Sequence, residues 1–142
     1  MKLLLIEDNI ADVALMEAVL EEIESAEGIH LDVVKDGEVA LKTFEDMESH
    51  PKNTFPDLVL LDFNLPRING LEILKKLKRS KILRPIPVVV FSTSSSRDDI
   101  DNCYSEHANC FITKPVDFDE FIKIIHSTIK FWSYATAKPY LV

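Results

Sequence analysis

Glycine is scarce in this chain, three residues among 142, and phosphate-cradling loops are built from glycine. No Gly-x-Gly-x-x-Gly follows the first apolar run and no Gly-Lys-Ser/Thr occurs anywhere, so dinucleotide and nucleoside triphosphate binding lose their main supports. Cysteine is nearly absent. Cys103 and Cys110 lack metal-type spacing and a companion histidine cluster, and read as reduced thiols in or near the core. The histidines His30, His50, His107 and His126 are scattered and carry no assigned role. Positive charge is also short, 16 Lys and Arg against 24 Asp and Glu for a net charge of -8. That balance argues against sequence-independent binding to nucleic acid or to an anionic membrane surface, and favours a protein partner. The opening Met-Lys-Leu-Leu-Leu-Ile meets Glu7 and Asp8 too soon for a signal-peptide core, and no apolar run reaches membrane-spanning length; a cytoplasmic location is expected. What is present is ordinary for one folded domain: 46% apolar and 28% charged residues.

Short apolar runs alternate with helical patterns along the chain. Lys2 to Ile6 predicts a strand, and Glu7-Asp8-Asn9 ends it with two acids and a helix cap. A helix from Ile10 to about Ala26 carries Val13, Met16, Leu20 and Ile23 at helical spacing, with Asp12, Glu17, Glu21 and Glu24 at the other positions. Ile29 to Val34 predicts a second strand, and a helix follows from about Glu38 to Met47 with Val39, Ala40 and Phe44 on its apolar side. Ser49 to Pro56 reads as an exposed loop. Leu58-Val-Leu-Leu is long enough for a buried strand but too short for a buried helix, and it runs into Asp62. After a turn, Leu71 to about Arg79 predicts a third helix with Leu74 and Leu77 inward. The lysines and arginines at its end suit a solvated face beside the helix dipole. Pro87 to Phe91 and Cys110 to Thr113 supply two more strands, separated by a polar helix from Arg97 to about His107. A last helix begins at Asp117, with Phe118, Phe121, Ile122, Ile125 and Ile129 on one side. The alternation predicts an α/β fold: a doubly wound, five-stranded parallel sheet with helices on both faces.

In such sheets chemistry gathers at the carboxyl ends of the strands. Those ends carry Glu7 and Asp8, Asp62, Ser92, and Lys114-Pro115. Three carboxylates brought together would repel, so the cluster calls for a hard divalent cation with oxygen ligands, for which Mg²⁺ is suited. Three carboxylates, one divalent ion and the Lys114 ammonium sum to about zero, leaving Asp62 ionised and able to act as a nucleophile toward a phosphoryl group. Each residue alone has a plainer reading: a strand-end acid capping a turn, acids at a helix N-terminus, a polar loop serine, a solvated lysine. Their joint placement is what points to phosphoryl transfer.

Glu7-Asp8, Asp62 within Leu-Leu-Asp-Phe-Asn-Leu-Pro, Gly70, Ser92 and Lys114-Pro115 together resemble the receiver domain of two-component response regulators over about residues 2 to 130. The resemblance implies a flavodoxin-like (βα)5 fold with strand order 2-1-3-4-5. It makes Asp62 the phosphoacceptor, with a sensor histidine kinase as phosphoryl donor and partner. Mg²⁺ or Mn²⁺ would be held by Glu7, Asp8, Asp62 and the backbone carbonyl of Asn64. Lys114 would contact the phosphoryl group before a cis peptide to Pro115, and Ser92 and Phe111 would occupy switch positions. The chain would assist its own phosphorylation and dephosphorylation without being an enzyme for a separate substrate. Three departures stand out: Glu7 in place of a frequent aspartate, Phe111 without a tyrosine hydroxyl, and Thr93 where a smaller residue often sits.

Residues 1–130 are expected to form the receiver and 131–142 an extension of the last helix and a tail, without an output domain. Phe118, Phe121, Ile122, Ile125, Ile129 and Trp132 share one helical face, whereas Ile124 and Phe131 lie away from it. With Asn64-Leu-Pro-Arg67 and Thr113-Lys-Pro-Val-Asp117, this end resembles the small single-domain regulators that partner cyanobacterial phytochrome histidine kinases. That resemblance implies a homodimer, with Ile124, Phe131 and Trp132 as candidate contacts. Two other readings remain: a receiver-like docking module that never carries phosphate, and a Mg²⁺-dependent phosphohydrolase with an aspartyl-phosphate intermediate. The hydrolase would need a second carboxylate two residues after the nucleophile, where Asn64 stands.

Overall fold

The computed structural model describes residues 1–50 and 55–137, without the side chains of 24–27 and 135. Most of the tail and the middle of the loop expected at Ser49 to Pro56 therefore lie outside the described residues. Five strands, β1 (Lys2–Ile6), β2 (His30–Val34), β3 (Leu58–Asp62), β4 (Val88–Ser92) and β5 (Cys110–Thr113), alternate with five helices. These are α1 (Ile10–Glu27), α2 (Gly37–Ser49), α3 (Gly70–Arg79), α4 (Arg97–Ser105) and α5 (Phe118–Lys130), the last running into a π-helical turn, Phe131–Ala135. The strands form one sheet in the order β2-β1-β3-β4-β5, and every neighbouring pair is parallel.

The continuous apolar runs follow from this topology, because a parallel sheet sandwiched by helices buries both faces. Leu4, Ile6, Val59, Leu61, Val88 and Val90 point to a core completed by Ala40 and Phe44 of α2, Ile73, Leu74 and Leu77 of α3, and Cys103 of α4. Leu3, Leu5, Leu58, Leu60, Val89 and Phe91 point the other way, against Val13, Met16 and Leu20 of α1 and Phe121, Ile125 and Ile129 of α5. Cys103 and Cys110 are free thiols associated with opposite faces, and burial pushes both up from the ordinary range, Cys103 to about 11.

Asn9, expected as a cap, accepts from the amide of Asp12 at α1, and three further side chains cap helices in the same way. Asp36 accepts from the amides of Glu38 and Val39 at α2, Asn69 from Glu72 at α3, and Asp117 from Glu120 at α5. Some side chains depart from their expected faces. Val39 and Phe118, read as apolar-face residues, are 52% and 63% exposed; each stands in the first turn of its helix. Lys78, read as part of a solvated face, instead tucks under α3, where its Nζ donates to Arg84 O, Ile86 O and Asn109 Oδ1. Burial pushes its ammonium down to about 8.

Candidate functional site

Parallel pairing brings the strand ends level. Asp62 pairs with Phe91, Ser92 with Thr113, and Ile6 with Leu61, so the residue ending β3, the residue ending β4 and those following β1 and β5 share one edge. Backbone bonds continue that order past the strands: Glu7 N donates to Val34 O at 3.0 Å, Phe63 N to Phe91 O at 2.8 Å, and Lys114 N to Ser92 O at 2.6 Å.

Glu7, Asp8 and Asp62 each offer a carboxylate oxygen, all within 4.8 Å of one another. Glu7 and Asp62 are buried, at 3% and 4% exposure, while Asp8 opens to solvent. Burial, followed by a hydrogen bond to Asp62, pushes the Glu7 carboxyl up to about 7 despite the nearby lysine. Such crowding is what a hard divalent cation relieves, and the oxygen-only donor set suits one. The Asn64 amide donates to Asp62 Oδ1 at 3.1 Å, which sets the chain just beyond the strand beside the same cluster.

Lys114 reaches into the site from the end of β5. Its Nζ lies 2.8 Å from Glu7 Oε2, 2.8 Å from Asp12 Oδ2 and 3.5 Å from Asp62 Oδ1. Burial works against the ammonium, but bonds to Asp12 and Glu7 and the charge of Asp62 outweigh it and hold Lys114 above the ordinary lysine range. The peptide between Lys114 and Pro115 is trans, since no described peptide bond is cis, which corrects the expectation of a cis bond. The intrinsic preference at an X-Pro bond is only about 0.5–1 kcal/mol toward trans, so local contacts decide it. Lys114 N bonds to Ser92 O and its side chain spans Glu7 and Asp12.

Ser92 is fully buried. Its hydroxyl donates to Asn64 Oδ1 at 3.0 Å and accepts from Ser94 N at 3.0 Å. The same Asn64 oxygen accepts from Thr93 N and Thr93 Oγ1, both at 3.2 Å. Phe111 lies half-buried against the α2–α3–α4 core, edge to face with Phe63 at a centroid distance of 6.4 Å. Its amide donates to the Tyr104 hydroxyl at 3.1 Å.

Two residues at the site escaped sequence reasoning. Asp12 was read as one more polar position on α1, although it stands in the first turn of the helix that leaves the acidic end of β1. Arg67 occupies the left-handed region at φ 63° and donates to Asp36 Oδ2, tying the loop after β3 to the N-cap of α2; no local pattern marks such a pair. The dimer candidates separate. Phe131 is 56% exposed, whereas Ile124 and Trp132 are half-buried against the α1–α5 core. Ile124 therefore does not join an exposed second face.

A five-stranded parallel sheet in this order, with an acidic cluster, a lysine and a hydroxyl converging at its carboxyl edge, defines a receiver domain. The Response regulator receiver domain family model matches residues 3–126, and the chain belongs to that family. It is similar to Response regulator Rcp1 of Synechocystis sp. (strain ATCC 27184 / PCC 6803 / Kazusa), 34% identical over 137 residues, covering 96% of this chain and 92% of that protein. Among solved structures, the Mn²⁺-bound form of Rcp1 superposes with a TM-score of 0.89 at 33% identity, covering 98% of this chain and 99% of that one. The phosphorylated cyanobacterial phytochrome response regulator RcpA also gives a TM-score of 0.89, at 36% identity and 98% coverage of both chains. Among the described residues no helix is long and apolar enough to cross a membrane.

Proposed function

We propose that this receiver works as a single-domain response regulator, taking a phosphoryl group on Asp62 from a sensor histidine kinase of the phytochrome type. One observation carries the reading: the Lys114 ammonium stands 3.5 Å from an Asp62 carboxylate that also shares a cluster with Glu7 and Asp8. Glu7, Asp8, Asp62 and the Asn64 carbonyl would hold Mg²⁺ or Mn²⁺, which would supply positive charge for the phosphoryl oxygens. This chain's residues do the rest. Asp62 attacks the phosphorus of a phosphohistidine, the P–N bond breaks, and the imidazole leaves on the donor. Lys114 neutralises one equatorial oxygen of the group in flight, and Ser92 donates to another once it has landed. In this sense the chain assists its own phosphorylation.

Ser92 can do so only by leaving Asn64, a rearrangement that bears on the half-buried Phe111 ring and the α4–β5 surface. The kinase is read as docking beside the site, where Ile10, Val116 and Phe118 are 76%, 106% and 63% exposed. Self-association is assigned to the other end of α5, where Phe131 and Tyr134 are 56% and 75% exposed. Similarity to RcpA and Rcp1 supports the phytochrome link and the metal.

The test is calorimetric titration with beryllofluoride, a phosphoryl mimic, in excess Mg²⁺. Calorimetry is preferred to tryptophan fluorescence because Trp132 lines a groove with Pro85, Pro87 and Asn109, next to the starts of β4 and β5 and away from Asp62. Saturable binding by the wild type and none by Asp62→Ala is expected; equal heats from both would sink the reading. Transfer of label from a phosphorylated phytochrome kinase, and not from unrelated kinases, tests the partner.

A further inference from the structure

Among the described residues, Asp12 is the one acid in contact with the site's lysine that lies outside the cluster of Glu7, Asp8 and Asp62. The first turn of α1 places it: Asn9 Oδ1 accepts from Asp12 N at 3.1 Å, and Asn9 N donates to Glu7 Oε1 at 3.1 Å. The Asp12 carboxylate thus leans over the end of β5 and takes a short bond from Lys114, at 2.8 Å. An ammonium has three donors and no acceptor. Two of those donors are committed to Glu7 and Asp12, both nearer than Asp62.

A phosphoryl group on Asp62 would offer Lys114 stronger acceptors than the 3.5 Å contact it now has. To accept the offer the ammonium must move, and the bond to Asp12 stands in the way. Glu7 can be compensated by a cation that binds the cluster. Asp12 has no such compensation, and its side chain is 26% exposed, so water takes the place of the lysine when it leaves.

We propose that Asp12 is a positioning residue that parks Lys114 in the resting site and competes with the phosphoryl group for its ammonium. The inference rests on Asp62 being the phosphoacceptor. Asp12 therefore holds the lysine poised in the unphosphorylated chain and weakens the phosphorylated state relative to a site without it.

The experiment is a double-mutant cycle on the full chain, with beryllofluoride titrated calorimetrically in saturating Mg²⁺ against wild type, Asp12→Ala, Lys114→Ala and the double variant. Asp12→Ala is expected to bind about threefold to tenfold more tightly, the scale of a partly exposed charge-assisted bond. Asp12→Asn, which keeps an acceptor without the charge, should fall between it and the wild type. Asp12→Glu should return toward the wild type. The tightening should vanish in the Lys114→Ala background. Unchanged or weaker binding by both Asp12→Ala and Asp12→Asn overturns the proposal. So does a tightening that persists without Lys114, which would reduce Asp12 to a nearby negative charge. No binding by the wild type, or equal binding by Asp62→Ala, would instead remove the acceptor reading and this inference with it.

Discussion

Replacing Gly70 by alanine tests whether the first residue of α3 fixes the position of Asp62, the proposed phosphoacceptor. A Cβ built on Gly70 meets Phe63 Cα at 2.6 Å and Asp62 O at 2.7 Å, against 3.4–4 Å for ordinary contact. Both are backbone atoms, so relief needs a displacement of about 1 Å at the exit of β3. Overpacking of this kind costs about 1–3 kcal/mol, while the helix preference for alanine returns at most about 1 kcal/mol. A net loss of about 1 kcal/mol would lower the melting temperature by roughly 2–4 °C in a domain of this size. The functional effect should be larger, because a shift of about 1 Å at a reacting group can cost about 100-fold. Gly28→Ala is the control: Gly28 has φ +64° with nothing within 4 Å, so it should lose about 1 kcal/mol to left-handed strain and keep its beryllofluoride affinity. Thermal unfolding and calorimetry on the two variants separate the cases. A Gly70→Ala protein that binds beryllofluoride like the wild type, whatever its melting temperature, refutes the reasoning.

Divalent-ion affinity should depend on pH through Glu7, whose carboxyl is pushed up to about 7 by burial and by Asp62. A raised carboxyl means the metal-free fold binds a proton that the unfolded chain has lost. This contribution to metal-free stability is full below the unfolded value of 4.5 and is lost as pH rises through about 7. A cation needs the ionised form, so Mg²⁺ affinity should rise with pH, by up to about tenfold per unit below that value, and level above it. Proton release on binding at pH 6, measured in buffers of different ionisation heat, should disappear in Glu7→Gln; unchanged release there would exclude Glu7 as the source. Arg67 stands at φ 63°, so Arg67→Gly and Arg67→Ala both lose the Asp36 pair but only glycine relieves the backbone. The glycine variant should be the more stable by about 1 kcal/mol in denaturant unfolding, and an alanine variant of equal or greater stability would contradict this. The wild type is expected to sediment as a dimer at about tens of micromolar and Phe131→Asp as a monomer; a monomeric wild type would remove the interface proposed at Phe131.

The fold was legible because both faces of its sheet are buried, so the strands announce themselves as unbroken apolar runs. Leu58 to Leu61 and Val88 to Phe91 are buried throughout, and no amphipathic alternative competes for them. Helix starts expected at about Glu38 and at Leu71 fall within a residue of the observed Gly37 and Gly70. The acidic cluster and Lys114 were legible for a related reason: parallel topology turns the last residue of each strand into a neighbour of the others. Side chains whose partners are distant in sequence were less legible. Lys78 finds its acceptors at Arg84, Ile86 and Asn109, and nothing in a basic run distinguishes the one lysine that turns inward. The phase of α5 failed at Phe118, which is 63% exposed, and at Ile124, which packs against the core although its angle set it apart from the apolar face; Phe131 and Trp132, in the π turn, are exposed and half-buried as their angles suggested.

Asp12 changes the electrostatics that sequence alone suggested. Three carboxylates, a divalent cation and one ammonium balance; with Asp12 drawn onto Lys114 there are four carboxylates within reach, and the same count leaves the loaded site about one charge negative. A phosphoryl group arriving on Asp62 adds roughly one more negative charge. The site can absorb it in two ways, by a proton or by moving its one cationic side chain. The proton has a natural seat on Glu7, raised to about 7, but a bound cation keeps that carboxylate ionised. What remains is Lys114, held at 2.8 Å by Asp12 and 3.5 Å from Asp62. Charge balance therefore predicts the same motion that the hydrogen-bond geometry does: away from Asp12 and toward the phosphorylated carboxylate, with Ser92 released from Asn64 on the facing side.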